Sequence, residues 1–276
     1  TSPVRFDMAG VLSLYLVVMI VIAMILQFYV MGRKRFDFLG SGTEQVSPAK
    51  ASRPVTALLT GVTAVFCLIA LGIPIGSNFI MSFSDSFSIE KFRFTLANYQ
   101  NVLQLDGALL EGVKNSLTLA SVAAVIGLII GFAVAYILTY SQFKLKRLID
   151  MLTLVAMAVP GVVLGIGYIF VWNQKWLQPP GLNLYGKPEI LILASVASAV
   201  PLINRVLVGG MSKVPQQLLT ASQVQGAKLG RRLTTVLLPL LHSSMVSAVL
   251  AAFGGSVFNL AITTILYPPN YSTLPV

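Results

Sequence analysis

The chain has 276 residues, of which 56% are hydrophobic and only 10% are charged, and its net charge is +10. A typical soluble domain carries about 25% charged residues, so this composition excludes an ordinary soluble fold. The basic residues are scattered over short segments instead of being gathered on one face with aromatic neighbours, which argues against nucleic-acid binding.

Long uncharged apolar runs dominate the sequence. Roughly 20 helical residues cross the hydrocarbon core of a bilayer, and a helix in lipid satisfies its own backbone polar groups. The runs therefore predict an all-α polytopic membrane protein with about six spans. In chain order, the predicted spans are Met8–Gly32, Val55–Phe83, Ser116–Tyr140, Met151–Asn173, Ile190–Val208 and Leu237–Leu266.

The segments around the first two spans suggest how the chain is organised. Residues 1–32 are predicted to be a transmembrane helix, and residues 33–54, rich in Gly, Ser and Pro, a flexible cytoplasmic linker. A core membrane domain is predicted over residues 55–276. Within it, the segment Ser84–Lys114 contains too many aromatic and aliphatic residues for a bare loop, so we expect a short surface helix there.

Positive charge alternates from one connecting segment to the next. The segments after the first, third and fifth spans carry five, three and four basic residues, twelve of the 19 in the chain, against three acidic ones. The other segments have no net charge. The positive-inside rule therefore places the first group in the cytoplasm. Arg205, near the cytoplasmic end of its span, is expected to extend towards the lipid phosphates.

Groups for catalysis or metal binding are scarce. The sequence has one cysteine, Cys67, one histidine, His242, and nine acidic residues, none of which falls inside a predicted span. No G-x-x-x-x-G-K-[ST] phosphate-binding loop occurs. We therefore expect no catalytic residues, no metal site and no cofactor in this chain.

One basic, amphipathic segment, Val214–Leu241, lies between the last two apolar runs. Pro215 suits the first turn of a helix, and Gly226 allows a tight turn. Apolar and small residues between them recur at three- and four-residue spacing. From the residues alone, two interpretations stay open. The segment could be a helix that docks into a groove of a cytoplasmic partner, or an interfacial helix that only closes a loop.

The order of residues in this segment resembles the EAA motif, the cytoplasmic coupling loop of the membrane-spanning subunits of ATP-binding-cassette (ABC) importers. The sequence departs from that pattern at Thr220, where Glu is usual, and at Ser222, where Ala is usual. The matching positions are Val214, Pro215, Leu218, Ala221, Gly226, Ala227, Val236, Leu238 and Pro239. The resemblance assigns coupling to an ATPase to Leu218, Thr220, Ala221, Ser222, Gly226, Ala227, Leu238 and Pro239.

The resemblance extends over roughly residues 99–266. The glycine-rich run Val159–Tyr168 is similar to a span of the ferric-iron, thiamine and aminophosphonate branch of these permeases. Polar and helix-breaking residues in the matched spans are candidates to line a translocation pathway, and close helix packing or helix capping is the alternative role. These candidates are Asn115, Ser116, Pro160, Gly161, Gly165 and Asn259.

The resemblance implies a type I ABC importer transmembrane domain in the bacterial inner membrane. Its expected partners are a cytoplasmic ABC ATPase dimer that holds ATP and Mg²⁺, a periplasmic substrate-binding protein, a second permease half and membrane lipids. The branch implies ferric iron as substrate. Because that branch often fuses two halves, Met8–Gly32 is expected to be the last helix of a first half, and the core domain is expected to lack its final helix.

Other classes of membrane protein remain as alternatives. An ion-coupled secondary transporter usually carries ionisable residues inside its spans, and no predicted span contains a carboxylate. A non-transporting structural subunit fits the composition but leaves the coupling segment unexplained. A membrane enzyme is the least favoured because catalytic groups are lacking.

Overall fold

The computed structural model describes residues 52–84, 93–103, 107–177, 183–269 and 271–274, and six residues of the first predicted span, Tyr15, Val18, Met19, Val21, Ile22 and Ile25. These ranges are helical, with connecting turns and one isolated bridge between Ser84 and Phe94. The helices are α1 (Arg53–Ser82), α2 (Ala97–Leu103), α3 (Gly107–Tyr140), α4 (Lys146–Ala158), α5 (Gly161–Trp172), α6 (Pro188–Met211), α7 (Gln216–Val224), α8 (Leu229–Val257) and α9 (Leu260–Leu266).

The all-helical prediction is confirmed, and the described spans are close in number to those expected. By length and composition, four of the described helices could cross a membrane, or five if α4 and α5 count as one bent span. The predicted span Met8–Gly32 lies largely outside the described residues, as does the predicted linker 33–54 up to Ser52.

Contacts divide the chain into two units, and the predicted core domain 55–276 stays a prediction. One unit covers residues 34–107, and the other covers residues 1–33 and 108–276. In the first unit, α1 is exposed along its length, as an apolar helix surrounded by lipid would be. The short helix expected in Ser84–Lys114 is α2. Its Asn98 donates to the carbonyl of Ser84 at 2.8 Å, and Tyr99 packs on Phe83 at the end of α1.

The second unit is built on close contacts between α3, α6 and α8. Gly131 of α3 lies against Ile203 of α6, where an added Cβ would come within 2.7 Å of the isoleucine side chain. Gly210 of α6 lies against Ser244 of α8 in the same way. Lipid is as apolar as the helices, so association depends on such close packing of small residues.

The predicted span Met151–Asn173 is two helices rather than one. The axes of α4 and α5 differ by 106° at a break over Val159 and Pro160. Pro160 has no N–H to continue the α4 ladder, and it forces Val159 into an extended conformation with ψ of 123°. The predicted span is therefore a bent pair of helices with its bend at Pro160.

The predicted span Leu237–Leu266 also has different ends. The helix α8 already begins at Leu229, with a π-helical turn over Leu233–Leu237, and it ends at Val257. A new short helix, α9, follows because the side chain of Asn259 accepts a hydrogen bond from the backbone N–H of Ile262 and caps it.

Two buried clusters mark the two ends of the second unit. The first contains Leu207 and Met211 at the end of α6 together with Leu219 of α7. The second contains Ile190 at the start of α6, Leu119 of α3 and residues of α9. Tyr140, the last residue of α3, donates to the carbonyl of Met211 at the end of α6, so the positively charged segments that follow these two helices leave the unit at the same end. Their cytoplasmic location stays a prediction.

Candidate coupling site

The helix α7 forms the centre of the segment predicted to contact an ATPase. It begins directly after Pro215, which has an extended backbone with ψ of 133°. Leu219 is its only buried residue, with 6% of its surface exposed. Its neighbours point outwards, since Leu218 is 46% exposed and Val224 is 84% exposed. A single leucine thus anchors a helix that presents other apolar side chains to its surroundings.

A glycine turn ends α7. Gly226 has a φ of 82°, in the left-handed region that glycine tolerates best. Its N–H donates to the carbonyl of Gln223 at 2.9 Å, and the N–H of Ala227 donates to the carbonyl of Ser222 at 3.1 Å. This pair of bonds is a Schellman motif, which satisfies carbonyls that the helix end would leave unpaired. The turn directs the chain into α8.

Two contacts hold α7 on the membrane helices, and a third fixes the end of α6 before it. Leu219 packs in the cluster that contains Met211 of α6 and Leu237 of α8. The hydroxyl of Tyr140, the last residue of α3, donates to the carbonyl of Met211 at 2.8 Å, just before α7 begins. In addition, Nη1 of Arg232 donates to Oε1 of Gln223 at 2.9 Å, which ties α7 to α8. The position of α7 is therefore fixed by the ends of α3, α6 and α8.

The predicted coupling residues fall into two groups. Leu218, Thr220, Ala221 and Gly226 are exposed on α7 and its turn, and Ser222 and Ala227 are half-buried beside them. Leu238 and Pro239 instead lie within α8, where they line an apolar cavity of about 500 Å³. The structure thus brings six of the eight together and leaves two inside a membrane-length helix.

The two departures from the family pattern are accommodated within α7 itself. The hydroxyl of Thr220 donates to the carbonyl of Gln216 at 3.1 Å, and the hydroxyl of Ser222 donates to the carbonyl of Leu219 at 2.8 Å. Both side chains satisfy their polar groups locally. The surface of α7 therefore lacks the negative charge that Glu would supply at position 220.

The predicted pathway residues all lie in the second unit, and five of the six have a packing or capping partner. Nδ2 of Asn115 donates to the carbonyl of Ser272, and the hydroxyl of Ser116 accepts from the N–H of Leu274. These two residues hold the segment 271–274 against the start of α3. Asn259 caps α9. A role of these residues in the pathway stays a prediction.

The glycines of α5 pack against α9. An added Cβ at Gly161 would lie 3.0 Å from the Cβ of Ala261, and one at Gly165 would lie 2.8 Å from Cγ2 of Ile265. Pro160, the remaining candidate, is at the break between α4 and α5. Small residues here allow two helices to approach closely, which is the alternative role considered for them.

One polar contact was not predicted from the sequence. Arg205 does not extend to the lipid phosphates, because its Nη2 donates to Oδ1 of Asp150 on α4 at 2.6 Å. Asp150 lies inside α4 and not in a loop. A sequence signal existed, since Arg205 is the only charged residue of its predicted span and Asp150 is the only acidic residue in the segment before the predicted span Met151–Asn173. Among the described residues, no group of three His, Cys, Asp or Glu side chains could hold a metal ion.

Comparison with known proteins identifies the family. The family profile described as "Binding-protein-dependent transport system inner membrane component" matches residues 108–275. The ferric transport system permease protein FbpB of Actinobacillus pleuropneumoniae is 28% identical over 64% of this chain, which spans 25% of that protein's length. The trehalose transport system permease protein SugA of Mycobacterium tuberculosis is 26% identical over 71% of this chain and 65% of its own length.

A solved structure has a similar fold. It is the crystal structure of a bacterial ABC transporter involved in the import of the acidic polysaccharide alginate, and one of its chains matches with a TM-score of 0.63 and 17% identity. The match covers 79% of this chain and 78% of that chain. The profile, the relatives and the fold agree: the chain belongs to the binding-protein-dependent transport system inner membrane components, the permeases of ABC importers, and is a multi-pass protein of the bacterial inner membrane.

Proposed function

We propose that this permease forms part of a translocation pathway and that a cytoplasmic ATPase dimer drives transport by binding α7. The observation that carries the proposal is the exposure of Leu218 and Val224 on a helix whose one buried residue is Leu219. A short helix that exposes apolar side chains outside the membrane suits docking into a hydrophobic groove of another protein. ATP and Mg²⁺ would then be bound by the partner, and this chain would supply no catalytic group.

The charges around α7 support a protein partner on the cytoplasmic side. Lys213 precedes the helix and Lys228 follows its turn, and both are exposed. Such cations keep the segment at the level of the headgroups or beyond, outside the hydrocarbon core. Leu218 and Val224 are therefore not covered by lipid chains, as we expect the exposed apolar side chains of α1 to be. A docked ATPase would cover them.

The test compares charged substitutions at matched exposure. Val224→Glu and Leu218→Glu should abolish co-purification of the ATPase and lower ATP hydrolysis of the complex in proteoliposomes at least tenfold, because a carboxylate would be buried unpaired at the interface. Trp176→Glu, at 69% exposure near the opposite end of the unit, is the control and should leave both unchanged. Full ATPase retention by Val224→Glu would refute coupling through α7.

For the substrate we propose ferric iron, delivered by a periplasmic binding protein, with a second permease half completing the pathway. The support is the likeness to a ferric transport system permease. The trehalose permease SugA has a similar identity to this chain, so a sugar is the competing class of substrate. Proteoliposomes with the cognate binding protein should accumulate radiolabelled Fe³⁺ only when ATP is enclosed. ATP-dependent uptake of labelled trehalose without uptake of Fe³⁺ would reject the proposal for iron.

A further inference from the structure

A polar cluster connects α4 to α6 near the end of the unit that carries α7. Nη2 of Arg205 donates to Oδ1 of Asp150 at 2.6 Å and to the Asp150 carbonyl at 3.2 Å. Beside it, Asn204 is completely buried, and its Nδ2 donates to the hydroxyl of Thr153 at 3.4 Å. Within the described part of the chain, Asp150 and Arg205 form the only ion pair.

The pair lies between the coupling helix and the bent pair of helices. Arg205 is in the last two turns of α6, which ends at Met211 and continues directly into the turn before α7. Asp150 is in α4, which leads through the 106° break into α5. No short connecting segment of the chain joins α4 directly to α6 at this end. Side-chain contacts across the two helices are therefore the direct route from α6 to α4, beside the indirect one through α3, which packs on α6 and leads into α4.

Apolar contacts between α4 and α6 hold these helices in a defined position less specifically than the ion pair does. Leu152 of α4 and Val200 of α6 line an open apolar groove of about 410 Å³ between the helices. In lipid, such side chains gain little from touching each other instead of lipid chains. A short charge-assisted hydrogen bond, such as that between Arg205 and Asp150, is directional, unlike an apolar contact. It is also strengthened where water is partly excluded. The side chains of Arg205 and Asp150 are 28% and 39% exposed.

We propose that Asp150 and Arg205 are positioning residues that make α4 follow α6 when the coupling helix moves. The proposal rests on the proposed coupling through α7. Movement of α7 shifts α6, and the ion pair carries that shift to α4 and so to the break at Pro160. Neutralising either partner leaves the other charge unpaired and disconnects α4 while α7 still engages the ATPase.

The experiment is hydrogen exchange on the full-length permease with its ATPase in lipid nanodiscs, compared without nucleotide and after trapping with ADP and vanadate. Peptides covering residues 216–224 report engagement of α7, and peptides covering residues 146–158 report the response of α4. The variants are Asp150→Asn, Arg205→Gln and the exchanged pair Asp150→Arg with Arg205→Asp. Arg147→Gln is the matched control, because Arg147 is an exposed cation of α4 that forms no hydrogen bond or ion pair with the described residues of α6.

In the unmodified complex, nucleotide trapping should change exchange in both regions. Asp150→Asn and Arg205→Gln should keep the response of residues 216–224 and reduce the response of α4 about fivefold or more, the range of ordinary coupling between sites. The exchanged pair should restore the α4 response, and Arg147→Gln should leave it intact. Arg205→Lys, which keeps the charge, is the second variant if a neutral one does not insert, and its α4 response should be intermediate.

Three results would overturn the inference alone. An α4 response of normal size in both neutralised variants, or an equal loss in Arg147→Gln, would show that the ion pair does not carry the movement. Absence of any α4 response in the unmodified complex would show the same. These results leave the proposed function intact provided residues 216–224 respond. If residues 216–224 do not respond in the unmodified complex, coupling through α7 fails, and the inference fails with it.

Discussion

Leu219 is the residue on which the docking of α7 depends most. Its side chain is 6% exposed and packs in the cluster of Met211 and Leu237. Replacing a buried leucine by alanine costs about 2–5 kcal/mol, from lost contacts and the cavity left behind. Because α7 is short and lies outside the membrane spans, we expect the loss to fall on its local docking rather than on the whole fold. A cost of about 3 kcal/mol raises the undocked population on the order of 100-fold.

Trypsin cleavage in inside-out vesicles measures this population. Lys213 and Lys228 flank α7, and cleavage of a folded segment follows the fraction of molecules in which it is open. Leu219→Ala should therefore be cut at these lysines on the order of 100 times faster than the unmodified protein. Leu218→Ala, at 46% exposure on the same helix, should be cut at the normal rate. Equal cleavage rates in the two variants would refute the assignment of Leu219 as the anchor.

Three further substitutions test the geometry around α7 and α5. Gly226→Ala places a Cβ at a φ of 82° and should lower the stability of the turn by about 1–2 kcal/mol, measured as faster amide exchange of residues 225–227. Tyr140→Phe removes the donor to the Met211 carbonyl and should destabilise the start of α7 by about 1 kcal/mol, with unchanged exchange there as the contrary result. Gly165→Val should lower the thermal unfolding temperature because its side chain meets α9, whereas Gly167→Val, with no atom within 4 Å of its Cβ, should not.

The parts of the fold that follow from short-range signals could be predicted from the sequence. The start of α7 after Pro215 and its end at Gly226 depend only on the conformations that proline and glycine favour. The existence of the spans follows from their apolar length. The break between α8 and α9 could also have been predicted, because Asn259 is a good N-cap for the second helix, but the break lies within a mainly apolar run that indicated one span.

Contacts between residues far apart in the sequence could not be predicted. Asp150 and Arg205 are 55 positions apart, and Asn115 and Ser272 are 157 apart. Neither pair produces a local periodicity, so the sequence gives the candidates but not their pairing. The bend at Pro160 could be predicted only in part. A proline predicts that a helix ends, but the packing of α5 on α9 decides the direction in which the chain continues.

The meaning of an exposed apolar side chain depends on where its helix lies. On α1, exposed leucines such as Leu58 and Leu71 require no partner beyond lipid, because the helix is long enough to cross the membrane and is apolar throughout. On α7 the same exposure at Leu218 and Val224 lies between lysines, on a helix too short to span. Hydrophobicity alone does not separate these cases, whereas helix length and flanking charge do. For that reason exposure on α7, and not the larger exposed surface of α1, argues for a protein partner.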